Sequence, residues 1–346
     1  MKYLKTYEGL RDKMTSKSDD ELKKSLSKLS LIKWFDSIKT LNLDSKFFPD
    51  DEELKKRLSE LPIHERLKFI KEWNLDKKFN PTDNEIKTFI NDLSDSNKIR
   101  VIIKYNLPYD LLPKGDLIIN GDLSLIMSNL IKLPDNLTVK GDFNCSHNKL
   151  TELPNNLIVK KSLNCDNNQL TELPDNLIVS KNINCSHNEL TELPDNLTVK
   201  GYLYCDHNEL TKLPDNLTVK GNLNCAYNKL TSLPDDLIVN GNLSCNYNQL
   251  TKLPDNLTVG KSTYCNNNQL TKLPDNLTVN NDFNCGHNKL TELPDNLTII
   301  GNLNCSNNQL TELPDDLIVK GYLICNNNKV KLQLPSTAKV WGKFIN

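Results

Sequence analysis

The chain has 346 residues, and its 43 basic and 44 acidic side chains leave a net charge of −1. This balance excludes a global basic surface for nucleic acid and an acidic tail. The hydrophobic fraction of 37% is low for one large core, and the sequence has neither a run of about 18 apolar residues nor a secretory signal. We therefore expect a cytoplasmic protein built from many shallow repeats.

The N-terminal third of the sequence predicts helices. The apolar pattern of residues 1–17 predicts one amphipathic helix. Residues 18–113 divide into three units of 32 residues. Apolar spacings of three and four run through the first half of each unit, and a second apolar stretch such as 31–41 predicts another helix. Ser18 and Glu21 form a capping-box motif that recurs at the start of the third unit. Three helical hairpins are therefore expected.

Residues 131–330 consist of ten units of 20 residues, of which LPDNLTVKGNLNCAYNKLTS from Leu213 is typical. Apolar residues two apart in LTV and LNC are typical of strands, and Gly221 between them is predicted to bend the chain with a positive φ. A single unit cannot bury these residues alone. Stacked at the strand spacing of about 4.8 Å, the units would form inward ladders of identical side chains.

The sequence on either side of the ten units repeats their pattern weakly. Residues 114–130 are predicted to form an N-terminal cap coil, and residues 331–346 a C-terminal cap that is shifted by one residue. Terminal repeats are commonly atypical because only one side is covered by a neighbour. Trp341 is expected to cover the last coil.

Two residue types mark an inward position in every unit. The cysteines recur at intervals of twenty, which assigns them to the core rather than to disulfides. An asparagine follows three residues after each cysteine, and an inward amide supplies both donors and acceptors to a neighbouring coil. The predicted structural ladder consists of Cys145, Cys165, Cys185, Cys205, Cys225, Cys245, Cys265, Cys285, Cys305, Cys325, Asn148, Asn168, Asn188, Asn208, Asn228, Asn248, Asn268, Asn288, Asn308 and Asn328.

The run L-x-C-x-x-N-x-L-T-x-L-P, as in residues 203–214, resembles the leucine-rich repeat with Cys in place of one Leu. Its period and its Leu-Pro pairs are similar to the short LPX-type repeats of bacterial effectors and some viral proteins. The resemblance implies a leucine-rich-repeat-like parallel β-solenoid. Together with the N-terminal α-helical hairpins predicted for residues 18–113, the expected fold class is a repeat protein of α and β solenoid type. The segment before the strand is longer than in the effectors, which leaves a two-stranded β-solenoid coil as the alternative.

Neither catalysis nor metal binding is predicted. Four units carry a His two residues after the Cys, but the Cys position is inward and the His position, shared with Tyr227, is outward. His187 and His207 lie on adjacent coils near Asp206, whereas zinc normally requires three or four converging ligands. We predict no catalytic residue, no metal site and no cofactor.

Outward tyrosines in the central coils form the predicted binding face, because exposed aromatic clusters are enriched where a partner desolvates them. The resemblance implies a non-enzymatic protein-binding adaptor, either host-directed or virus-encoded. A self-assembling component, such as a virion or surface spacer, and a carbohydrate-binding solenoid are the alternatives. Nucleic acid and membrane are not expected partners. The predicted face consists of Tyr202, Tyr204, Tyr227, Tyr247 and Tyr264.

Overall fold

The computed structural model describes residues 18–105, 107, 117–195, 197–215, 217–275 and 277–346. The helix predicted for residues 1–17 lies outside the described residues. The chain divides into two compact units, Met1–Pro113 and Lys114–Asn346. Within the described ranges, no helix is long and apolar enough to cross a membrane.

The described part of the first unit contains six α-helices that follow one another as three pairs, with 3₁₀ turns at Ser45–Phe47 and Lys77–Phe79 after the first two pairs. Both predicted capping boxes are confirmed, at Ser18 and at Thr82. The helices are α1 Asp19–Leu26, α2 Leu31–Leu41, α3 Asp51–Ser59, α4 Ile63–Glu72, α5 Asp83–Asn91 and α6 Asp95–Tyr105.

Aromatic residues fill the core between the first two hairpins. The ring of Phe35 in α2 is fully buried and lies 4.8 Å from Phe69 and 4.9 Å from Trp73, edge to face in both cases. Arg57 in α3 donates to the carbonyl oxygens of Ser27 and Leu29, both at 2.6 Å. The aromatic packing joins the first hairpin to the second. The Arg57 guanidinium adds a second connection, because it caps the carbonyl groups at the C-terminal end of α1.

The second unit is a parallel β-solenoid with two short strands in each coil, so the two-stranded alternative is the observed one. The predicted fold class, helical hairpin repeats followed by a parallel solenoid, is confirmed. The strands are β1 Leu117–Ile119, β2 Leu123–Ser124, β3 Leu137–Val139, β4 Phe143–Asn144, β5 Ile158–Val159, β6 Leu163–Asn164, β7 Ile178–Val179, β8 Ile183–Asn184, β9 Thr198–Val199, β10 Leu203–Tyr204, β11 Thr218–Val219, β12 Leu223–Asn224, β13 Ile238–Val239, β14 Leu243–Ser244, β15 Thr258–Val259, β16 Thr263–Tyr264, β17 Thr278–Val279, β18 Phe283–Asn284, β19 Thr298–Ile299, β20 Leu303–Asn304, β21 Ile318–Val319, β22 Leu323–Ile324, β23 Lys339–Val340 and β24 Phe344–Ile345.

One face of the solenoid is a single β-sheet, whereas the other is divided into separate sheets. The even-numbered strands form one sheet of twelve strands, whereas the odd-numbered strands form three sheets of four, β1 to β7, β9 to β15 and β17 to β23. Before each interruption the inward valine is slightly exposed, 7% at Val179 and 9% at Val259, while Val199 and Val219 are fully buried. Only the even-numbered strands are therefore hydrogen-bonded without interruption along the described coils of the solenoid.

The bend between the two strands of a coil does not use the left-handed backbone predicted at Gly221, and that prediction was wrong. A Cβ atom on Gly221 would lie 2.7 Å from the carbonyl carbon of Gly201 in the preceding coil. The N–H of Gly221 donates to the carbonyl oxygen of Gly201 at 2.8 Å. The close approach of successive backbones, rather than φ, favours glycine here.

The last coil follows the predicted one-residue shift, since Ile318 pairs with Lys339 and Leu323 with Phe344. Trp341 does not cover this coil as expected, because 61% of its surface is exposed. The backbone N–H of Trp341 instead donates to the carbonyl oxygen of Val319 at 3.0 Å, which places the residue next to a paired strand with its ring outside the core.

Candidate functional site

The ladder asparagines lie in the turns that follow the ten even-numbered strands from β4 to β22. The Nδ2 of Asn228 donates to the carbonyl oxygens of Cys205 at 3.0 Å and Cys225 at 3.1 Å, and its Oδ1 accepts from the N–H of Leu210 at 3.0 Å. The bond from the preceding coil's leucine N–H recurs at all ten asparagines. These amides satisfy backbone groups that the stacked coils remove from water.

The ladder cysteines are all fully buried and unpaired. Burial raises the pKa of Cys185, Cys245 and Cys285 to about 12. A thiol in such surroundings stays protonated at neutral pH, and the thiolate is the form that attacks substrates or binds metals. The inward side of the solenoid therefore offers packing without cysteine chemistry.

Two residues after each cysteine, the backbone is left-handed, with φ close to +55°. Asn and His tolerate this conformation better than other residues, while a bulky side chain there is unusual and costs about 1–2 kcal/mol. Tyr227 has a φ of 52° and Tyr247 a φ of 53°. We call this outward row the positive-φ column; it consists of His147, Asn167, His187, His207, Tyr227, Tyr247, Asn267, His287, Asn307 and Asn327.

Four consecutive members of the positive-φ column stack ring on ring. The centroids are 4.2 Å apart for His187 and His207, 4.3 Å for His207 and Tyr227, and 4.3 Å for Tyr227 and Tyr247. Both tyrosines remain 43% exposed. Because the rings stack from coil to coil, they present their edges and polar atoms to solvent.

The remaining predicted tyrosines lie beside this stack on the continuous sheet. Tyr202 stacks on Tyr204 with centroids 4.4 Å apart, and both are half-buried. The register runs from Tyr204 through Asn224 and Ser244 to Tyr264, so the two tyrosines are three strands apart, about 14 Å at the usual spacing. Smaller polar side chains therefore lie between two aromatic groups.

The five predicted tyrosines are thus brought to one stretch of the solenoid, as two stacked pairs and the separate Tyr264 rather than as one cluster. We call this surface the tyrosine patch; it consists of Tyr202, Tyr204, Tyr227, Tyr247 and Tyr264. Partial desolvation and the hydroxyl of Tyr247 raise the pKa of Tyr227, and burial raises that of Tyr202. Both hydroxyls are therefore neutral groups that can donate and accept hydrogen bonds.

The structure also brings His187, His207 and Asp206 together at one end of the stack, with one ligating atom of each within 4.8 Å of the others. Oδ1 of Asp206 accepts from the Ser186 hydroxyl at 2.6 Å and from Asn224 Nδ2 at 2.9 Å. Its Oδ2 lies 2.9 Å from His207 Nδ1. The sequence placed the two histidines on adjacent coils near Asp206, but it did not indicate that Ser186 and Asn224 orient the carboxylate.

A second row of side-chain acceptors was missed by the sequence analysis. Each of these residues accepts, at 2.8–3.1 Å, from the backbone N–H twenty positions later. The signal was present, because Asp, Asn or Ser follows the bend in most coils. A tyrosine ring cannot supply the acceptor, so the row is interrupted at Tyr202, as it also is at Ser162 and Ser262. Its members are Asp122, Asp142, Asn182, Asn222, Asn242, Asp282 and Asn302.

None of the protein-family models and none of the curated proteins matches this chain. Among solved structures, it is similar to YopM from Yersinia enterocolitica, with 22% identity over 65% of this chain and 64% of that one and a TM-score of 0.38. A leucine-rich repeat protein from Bacteroides eggerthii is 19% identical over 59% of this chain and 45% of that one, with a TM-score of 0.40. A Shigella effector leucine-rich repeat domain is 20% identical over 71% of this chain and 85% of that one, with a TM-score of 0.28.

The chain therefore spans 64% and 45% of the length of the first two structures.

Proposed function

We propose that the protein is a non-enzymatic interaction scaffold or adaptor that binds a protein partner through the tyrosine patch. One observation carries this proposal: Tyr227 and Tyr247 hold large, exposed side chains on a left-handed backbone. Asparagine occupies the same position in four other coils at lower steric cost. Strained residues of this kind cluster at binding and catalytic sites, where function offsets the cost.

The chemistry of the patch suits a protein surface. Tyrosines supply large, rigid contact areas with a polar tip and lose little conformational entropy when a partner covers them. The strand register places Asn224 and Ser244, which offer hydrogen-bonding groups, between Tyr204 and Tyr264. A partner that places apolar side chains between Tyr204 and Tyr264 would bury the kind of centre that dominates binding energy.

A non-enzymatic role is supported by the protonated, buried thiols, which provide no nucleophile. Ten unpaired thiols also suit a reducing compartment, so we keep the cytoplasm as the proposed location. A host-directed or virus-encoded adaptor remains part of the same proposal and rests on the sequence resemblance alone.

The test is affinity capture with the full chain from cells that naturally contain it, followed by measurement of the dissociation constant for the captured protein. In the variant, Tyr204→Asn and Tyr227→Asn are combined, because asparagine occupies both positions in other coils. We expect this variant to fold normally and to bind at least tenfold more weakly, since two aromatic anchors are lost.

Tyr322→Asn is the matched control, because Tyr322 is 55% exposed on a distant coil and Asn302 holds the same position one coil earlier. Unchanged capture by the Tyr204/Tyr227 variant, or equal weakening by the control, would place the contact elsewhere. Self-association of the pure chain that depends on the same two tyrosines would support the self-assembling alternative instead.

A further inference from the structure

Two imidazoles and a carboxylate lie close together on the outer surface of two adjacent coils. His187 and His207 project from equivalent left-handed positions, and Asp206 immediately precedes the second histidine. One ligating atom from each of the three lies within 4.8 Å of the others. Parallel stacking of the two rings, 4.2 Å between centroids, holds both imidazoles on the same side of the solenoid.

The carboxylate is oriented before any ion arrives. The Ser186 hydroxyl and Asn224 Nδ2 both donate to Oδ1 of Asp206, and only 14% of its side chain is exposed. Its Oδ2 remains directed at His207 Nδ1, 2.9 Å away. Such outer hydrogen bonds fix the ligand groups of metal sites and strengthen metal binding by 10- to 100-fold.

We propose that His187, Asp206 and His207 bind one divalent transition-metal ion of the zinc type, with water completing the coordination. Nitrogen-rich ligand sets favour zinc and its neighbours over calcium and magnesium, which prefer oxygen ligands. Tetrahedral zinc needs its ligand atoms about 3.3 Å apart, given bonds of about 2.0–2.1 Å. His207 is stacked between His187 and Tyr227, whereas the other column neighbour of His187 is Asn167, so the His187 ring is the one that would tilt toward such a centre.

Other histidines of the positive-φ column show what a coil without this site contains. His147 lies 3.9 Å from Asp166, but the next member of the column is Asn167 rather than a second histidine. Nε2 of His287 lies 3.2 Å from Asn307 Nδ2, and glycine occupies the position that corresponds to Asp206. Among the described residues, the full set of three ligands therefore occurs once.

The experiment is a calorimetric zinc titration of the full chain, without a polyhistidine tag and with a reductant that does not bind zinc. We expect one zinc ion per chain. His187→Asn, His207→Asn and Asp206→Asn should each weaken the affinity at least tenfold. His287→Asn is the matched control and should change the affinity less than twofold. Asparagine is native to this backbone conformation in four other coils, so the histidine variants should retain the fold, as circular dichroism would verify.

Three results would overturn the proposal. The first is a native chain that shows no saturable zinc binding at submillimolar concentration. The second is a combined His187→Asn and His207→Asn variant that binds zinc as the native chain does, which would point to other groups such as the thiols. The third is a loss of affinity in the His287→Asn control as large as in the other variants.

Discussion

The helical unit and the solenoid are both repeat structures, but they pair their backbone polar groups differently. In the helical unit, most N–H groups bond within their own helix, and local caps such as Thr82 with Glu85 complete the ends. In the solenoid, the bonds run between coils, as when the N–H of Cys225 donates to the carbonyl oxygen of Ser244 at 2.8 Å. A helical hairpin therefore contains its own hydrogen bonds, whereas a coil depends on its neighbours.

This difference explains why the two regions vary so differently in sequence. Equivalent positions of the hairpins need only stay apolar, as Leu22, Leu54 and Ile86 do. An inward position of a coil lies against its counterparts in the coils above and below, so its side chain must fit theirs in size and hydrogen bonding. Invariant Cys and Asn in all ten units are the consequence.

Alkaline pH should give the largest difference in stability between the two regions, because all ten cysteines lie in the solenoid and none in residues 1–113. Burial holds the pKa of Cys185 and Cys245 at about 12, while a thiol in an unfolded chain ionises near pH 8.5. Since the folded pKa is the higher one, the stability from the neutral thiols is complete below about pH 8.5 and is lost as pH rises toward 12. The loss reaches about 1.4 kcal/mol per thiol for each pH unit.

We therefore expect the solenoid to unfold between about pH 9 and 11 with reductant present, while the helical signal at 222 nm persists. Circular dichroism during a pH titration measures both regions in one chain. Simultaneous loss of helix and strand, or a solenoid that survives above about pH 12, would contradict this difference.

Removal of one ladder amide should have the next largest effect on the stability of the solenoid. Asn228→Ala leaves the N–H of Leu210 without its acceptor and takes a donor from two cysteine carbonyls, so the free energy of unfolding should fall by about 2–4 kcal/mol. Urea denaturation measures the change. Asn246→Ala is the control, because Ala226 already occupies that position in the preceding coil, and a loss as large as in Asn228→Ala would disprove the special role of the ladder.

Loss of a local cap in the helical unit should have the smallest effect. Thr82→Ala removes the side-chain acceptor for the N–H of Glu85, which should destabilise the helical unit by about 1 kcal/mol. Thr88→Ala lies on the same helix, where the hydroxyl only bonds back to the carbonyl of Asn84, and it should change stability by less than about 0.5 kcal/mol. If the cap variant lost as much stability as Asn228→Ala, the local character of the helical hydrogen bonds would be in doubt.

Much of the fold could be predicted because its physical causes repeat in the sequence. The twenty-residue interval between cysteines predicted the length of one coil, and the pairing of Leu203 with Leu223 follows from that interval. The capping boxes at Ser18 and Thr82 were visible because both partners of each box lie three residues apart. Such short-range or strictly periodic signals need no knowledge of the tertiary structure.

The remaining features depend on distances between coils that a sequence does not express. The role of Gly221 came from the approach of the neighbouring backbone, not from its own φ. The variation among His, Asn and Tyr after each cysteine was interpreted as simple exposure, although it also marks a left-handed backbone. The hydrogen bonds from Ser186 and Asn224 that orient Asp206 were likewise hidden, because they depend on the side-chain conformations of neighbouring coils.

The register of the solenoid has a consequence for its gene. Strand partners lie twenty residues apart from Leu117 and Leu137 onward, and twenty codons are sixty base pairs. Gain or loss of sixty base pairs adds or removes one whole coil and leaves every inward residue facing its counterpart, whereas a loss of three base pairs within a central coil shifts one strand against both neighbours. The single step of twenty-one, between Ile318 and Lys339, occurs in the last coil, where there is only one neighbour to match. Length variation by unequal recombination is thus the mutation that this protein tolerates best.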